Sequence, residues 1–168
     1  MEFLTQISRL GAAGMYTCYP TSVLNGWIYQ GAITPEEAAA AQELLVTKYG
    51  RWFSFPNQTA RMRTFAANPV KLVSVVSEAS GKQVELKTVE PYWIHNLSGF
   101  LVETLQSSNV LVAGNNHAYL ATTFDEVAKE IVVIDPRLPD RSARFRLDVF
   151  VRMIRAGQEW VTIIPKKN

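Results

Sequence analysis

The sequence predicts an α+β fold in which helices come first and a mostly antiparallel sheet follows. Two patterns and one bulk property carry that expectation. The first two thirds of the chain hold segments with helix start and stop signals, and from Val110 onward short apolar runs alternate with turns. The 168 residues are 48% hydrophobic and 19% charged, which suits a single buried core rather than a disordered chain. No linker, repeat or low-complexity stretch interrupts them, so one domain spanning residues 1–168 is expected.

The elements follow in order. "PTSVLNGWIYQG" predicts a helix beginning just after Cys18, with Pro20 in its first turn and Gly31 at its end. "TPEEAAAAQELLVTKYG" predicts a second helix. Thr34 is its N-cap, Pro35 its first residue, Glu37 closes a capping box and Gly50 is the stop. Residues 51–67 read as irregular or briefly helical. "NPVKLVSVVSEASG" predicts a third helix capped by Asn68, and "KQVELKTV" alternates as a strand does. A fourth helix is expected at about residues 95–107. Strands are then expected in "VLVAG", "HAYLATTF", "KEIVVID" and "RFRL", a helix from Asp148 to Gly157, and a last strand in "EWVTIIP".

Composition excludes several classes of function. A net charge of +2 is too mild to argue for nucleic acid. One cysteine rules out an internal disulfide and a four-thiolate zinc site, and with only two histidines it argues against any protein-only metal site. No glycine-rich phosphate loop is present, so no cofactor is expected. "MEFLTQISRL" lacks the pattern of a signal peptide, and no apolar run approaches the ~18 residues of a membrane span. The expectation is a cytoplasmic protein without a membrane partner.

The single thiol, Cys18, stands where a helix opens. Unpaired amide groups there favour a thiolate, so a lowered pKa is expected. A nucleophile also needs a proton acceptor. His95 sits among aromatics at a helix start and reads as a packing or capping residue. His117 opens a strand after the turn-forming Gly-Asn-Asn, a junction that often presents a functional group. A hairpin centred on Glu126 sets His117 opposite Asp135, Tyr119 opposite Val133 and Ala121 opposite Ile131. In that register the Asp135 carboxylate orients the imidazole, and a slip of one residue would turn it to the other face.

"CYPTS", "NHAYLATTF" and "VVIDPR", in this order and followed by "RFRLDVFVRMIRAGQEWVTIIP", resemble papain-like cysteine peptidases, and most closely the bacteriocin-processing type. The resemblance spans most of the chain. It implies a papain-like fold, with the first helix carrying the cysteine and the N-terminal helices packed on the sheet. It also implies Cys18 as nucleophile, His117 as general base and acid, Asp135 as orienting carboxylate, and a peptide or protein substrate. Two positions depart from the family. Ala12 stands where an oxyanion-stabilising glutamine is usual, leaving Gln6 as the upstream glutamine that could serve. Tyr19 replaces the glycine that usually follows the cysteine.

Two further readings accompany this one. A papain-like scaffold with a degenerate site would act as a binding or inhibitory protein, through the arginine-bearing C-terminal third or the aromatic stretch from Arg51 to Phe65. An acyltransferase or transglutaminase-like enzyme would use the same three residue types. The arginines Arg137, Arg141, Arg144, Arg146, Arg152 and Arg155 are interspersed with acidic residues and read as a solvated face.

Overall fold

A computed structural model of the chain describes residues 2–4, 18–53, 69–114, 117–138, 142–157 and 160–166. Helices α1 (Cys18–Tyr29), α2 (Pro35–Phe53) and α3 (Pro69–Ser80) precede a short strand β1 (Lys87–Val89). A 3₁₀ turn at Pro91–Trp93 leads into α4 (Leu97–Ser107). Then come β2 (Ser108–Gly114), β3 (His117–Asp125), β4 (Glu130–Ile134), β5 (Ser142–Arg146), α5 (Leu147–Gly157) and β6 (Trp160–Pro165). The six strands form one sheet in the order β1-β6-β2-β3-β4-β5, and every pairing described is antiparallel. The α+β expectation is met.

The local signals explain most boundaries. The capping box at α2 is formed in both directions: Thr34 N–H donates to Glu37 Oε2 at 2.8 Å, and Glu37 N–H donates to Thr34 Oγ1 at 3.2 Å. Gly31 follows α1 with φ +67° and Gly81 follows α3 with φ +69°, the left-handed conformation that glycine adopts at least cost. Asn96, rather than His95, caps α4, its Oδ1 accepting from Gly99 N–H at 3.0 Å. Gly50 does not stop α2, which continues to Phe53. A glycine inside a helix costs only about 1 kcal/mol, which the Ala-, Glu- and Leu-rich turns before it offset. The strand expected over "KQVELKTV" shrinks to its last three residues, the only part that reaches β6. The expected cap Asn68, and residues 54–67, lie outside the described residues.

Alternation along β2 and β3 assigns the two faces of the sheet. Leu111, Ala113, Ala118 and Leu120 join Ile134 and Ile164 in a core with α1, α2 and α3. Val110, Val112 and Ala121 join Ile131, Val133 and Val161 in a second core under Leu97, Leu101 and Leu105 of α4 and Phe150 and Ile154 of α5. The helices therefore cover both faces: the N-terminal ones pack as expected on one, and α4 and α5 close the other.

The β3–β4 hairpin departs from its expected register. Asp125 pairs with Glu130, so the turn occupies residues 126–129 and is not centred on Glu126. Asp125 Oδ1 draws the N–H groups of Val127 and Ala128 into the turn at 3.1 and 3.0 Å, and Lys129 takes a positive φ of 56°. A bulge between Ala121 and Thr123 then shifts the ladder, which ends with Ala121↔Val133 and Leu120↔Ile134. Relative to the expected register the partner of Ala121 moves by two residues, an even number, so the faces are conserved. Asp135 is thus not directly opposite His117 but diagonal to it.

Helix α1 is buried from Cys18 to Ile28, so each of its polar groups needs an internal partner. Thr21 Oγ1 accepts from Gln42 Nε2 at 3.0 Å, Asn25 exchanges two hydrogen bonds with the backbone of Leu4, and Trp27 Nε1 donates to the Glu85 carbonyl at 3.0 Å. Gly26 marks the closest approach to the sheet. A Cβ there would lie 2.3 Å from Ile164 Cδ1 and 3.3 Å from Leu120 Cδ1. Although alanine is the better helix former, Gly26→Ala should lower stability by about 1–3 kcal/mol through overpacking. Urea denaturation measures this, and an unchanged or raised midpoint would show that Ile164 has room to yield.

Candidate functional site

The site is built where α1 begins and β3 begins. Cys18, the first residue of α1, is fully buried. Three backbone N–H groups act on its sulfur: those of Tyr19, Ala118 and Cys18 itself. The Ala118 carbonyl in turn accepts a long hydrogen bond, 3.5 Å, from Ser22 Oγ one helical turn after Cys18. Cys18 and Ser22, one turn apart on α1, thus share a face directed at the same residue of β3. The β3–β4 ladder has already ended at Leu120↔Ile134. The residue preceding Ala118 is His117.

His117 Nε2 lies 2.8 Å from Asp135 Oδ1, and the two side chains are only 13% and 16% exposed. The ring also meets Tyr119 edge-on, with centroids 4.6 Å apart. His117 and Asp135, both identified from the sequence, are thus in contact at one end of β3, and Cys18 opens the helix that packs on that strand. Gln6 and Ala12 lie outside the described residues. Tyr19 turns into the core, 1% exposed, with its hydroxyl 2.9 Å from Thr162 Oγ1. His95 is exposed beside the α4 cap and takes no part.

Arg137 is the member that sequence reasoning missed. Its Nη2 donates to Asp135 Oδ2 at 2.6 Å and its Nε contacts both oxygens, at 3.1 and 3.2 Å. Its backbone N–H also donates to Asp135 Oδ1 at 2.9 Å. The signal for it was the tripeptide Asp-Pro-Arg. An aspartate ahead of proline commonly accepts from the backbone two residues on, which brings that residue's side chain alongside. Of the other arginines, Arg144 pairs with Asp125 and Glu130, Arg146 and Arg152 pair with Asp148, and Arg155 donates to the carbonyls of Ile94 and His95, as suits an exposed face.

The electrostatics correct one expectation. Burial pushes the Cys18 thiol up from 9.0 to about 11. The amides of Tyr19, Ala118 and Cys18 and the charge of Arg137 pull the other way without prevailing. The helix start does favour the thiolate, as expected, but loss of solvent outweighs it. Burial also holds His117 below 6.5, assisted by Arg137 and opposed by Asp135, so the ring is neutral at pH 7. Burial alone would raise Asp135. The hydrogen bonds from Arg137, together with His117, outweigh it and hold the carboxylate below 3.8. A neutral imidazole beside an ionised carboxylate donates from Nε2, leaving Nδ1 with its lone pair.

Among the described residues, no three His, Cys, Asp or Glu side chains come together as a metal site, and no helix is long and apolar enough to cross a membrane. The sequence matches no protein-family model and no curated protein.

The raised thiol pKa has a consequence for stability. Below pH 9 both folded and unfolded chains keep the proton. Between 9.0 and about 11 the unfolded chain releases it and the folded chain does not, so stability falls as pH rises through that window. The loss should reach about 3 kcal/mol. Tyr19, raised from 10.0 to about 12, adds a later loss of the same sign. Urea unfolding from about pH 8 to about pH 11 should give a steeper decline for the wild type than for Cys18→Ala. Equal slopes would mean the thiol ionises within the fold as readily as outside it.

Proposed function

We propose that this chain is a papain-like thiol hydrolase that cleaves a peptide, isopeptide or related acyl bond through Cys18, His117 and Asp135. The observation that supports it best is the 2.8 Å contact from His117 to Asp135, held at the strand end whose next residue, Ala118, has a backbone amide that favours the Cys18 thiolate. A cysteine, a base and a group orienting the base are what covalent acyl chemistry requires.

The resting charges define the route. With the thiol protonated and the imidazole neutral, the proton moves during attack, from Sγ to His117 Nδ1, as Sγ bonds to the acyl carbonyl carbon. The imidazolium, balanced by Asp135, then protonates the leaving amine, and a thioester to Cys18 remains. Water, deprotonated by His117, hydrolyses the thioester and regenerates the thiol. The amides at the start of α1 would be the donors to the developing oxyanion; if no side chain supplements them, the loss of one donor slows the reaction by ~10²–10³. Acyl transfer would share the first half of this sequence, with an amine in place of water.

A second reading has its own support. Cys18 is 0% exposed and Tyr19, in place of the usual glycine, is 1% exposed, as suits a scaffold that has kept the residues but binds rather than turns over.

An activated ester separates the two. Treated with p-nitrophenyl acetate, the wild type should release a burst of p-nitrophenolate and gain one acetyl group at Cys18 by mass spectrometry. His117→Ala should acylate slower by about 10²–10⁴, and Cys18→Ala should show no adduct. Equal rates in wild type and His117→Ala would reject the hydrolase in favour of the binding scaffold.

A further inference from the structure

We propose that Arg137 is a positioning residue of this site, clamping both oxygens of the Asp135 carboxylate so that Oδ1 is presented to Nε2. The inference rests on the functional reading above, yet its geometry is independent of turnover. Asp135 Oδ2 is taken by Nη2 at 2.6 Å and Nε at 3.2 Å, a fork that fixes the carboxylate plane. Oδ1 receives the Arg137 backbone N–H at 2.9 Å and Nε at 3.1 Å, beside the imidazole at 2.8 Å. Pro136 between them fixes one backbone angle, and the Leu138 N–H closes the turn on the Asp135 carbonyl at 2.9 Å. The clamp is therefore built within residues 135–138.

An exposed ion pair of this kind ordinarily contributes little, and the Arg137 side chain is 58% exposed. Its partner is not ordinary. The Asp135 side chain is 16% exposed and shares its Oδ1 with a ring that is 13% exposed. A carboxylate free to rotate about its last torsion would present either oxygen, or neither, to the ring. The Arg137 fork removes that freedom. Its charge reaches the site as well, favouring the Cys18 thiolate and opposing protonation of His117.

The test uses the full chain and reads the His117 ring nitrogens by NMR, assigned against His95→Gln. Above the range in which the ring titrates, wild type should show one tautomer, with the proton on Nε2. Arg137→Gln should show a mixture of tautomers and acylate by p-nitrophenyl acetate at least tenfold slower, with a urea midpoint close to wild type. Arg137→Lys keeps the charge but not the fork, and should retain the mixture. An unmixed Nε2–H tautomer in both variants would overturn the proposal, whatever the acylation rates. Conversely, tautomer mixing in a protein whose wild type does not acylate would sustain the clamp and reject the hydrolase.

Discussion

The grip of α1 on the Ala118 peptide is the constraint on which the site depends. A helix buried along its whole length cannot leave polar groups unmatched, and α1 carries Cys18, Thr21, Ser22 and Asn25 on a sequence otherwise apolar. Ser22 donates to the Ala118 carbonyl, and the Ala118 amide favours the thiolate of Cys18, four residues before Ser22. That match sets where the helix start lies along β3. It also sets the thiol beside the peptide that carries His117. The absence of a side chain at Gly26 lets α1 approach close enough, against Ile164 and Leu120, for the match to be made.

Close packing has an electrostatic consequence. The amides of a helix start and the guanidinium of Arg137 both favour a thiolate, but a fully buried sulfur has lost the solvation that would stabilise the charge, and burial wins. The same burial keeps His117 neutral. Cys18 and His117 are thus each neutral at rest, while Asp135 and Arg137 form an ion pair. Under the proposed function the imidazole acts as a base in the transition state rather than as the partner of a standing thiolate.

Much of this was legible in the sequence, and the exceptions have physical reasons. The α+β class, the capping box at Thr34 and Glu37, and the glycines after α1 and α3 follow from local rules that tertiary packing did not override. His117 and Asp135 could be set on one face because strand periodicity is two, and the ladder moved by an even number of residues. The register itself was not legible. It depends on Asp125 capturing two amides, on the positive φ of Lys129 and on a bulge, none of which hydrophobic alternation reports. Burial of Cys18 was hidden for a similar reason: it joins a core whose members include strand residues as remote in sequence as Ala118 and Ile164. Arg137 read as one cation among several because its distinction is its partner, not its composition. Gln6 lies outside the described residues.

The rate of Cys18 acylation by an activated ester, followed against pH in wild type and His117→Ala, tests the account of a neutral thiol and a neutral imidazole most directly. With one cysteine in the chain, the labelled site is unambiguous. The wild-type rate should rise as His117 loses its proton, with a midpoint below 6.5, and then stay level through about pH 9 because the thiol holds its proton to about 11. His117→Ala should lose that plateau. A wild-type rate that instead climbs about tenfold per pH unit across the range, in step with free thiolate and indifferent to His117, would contradict the account.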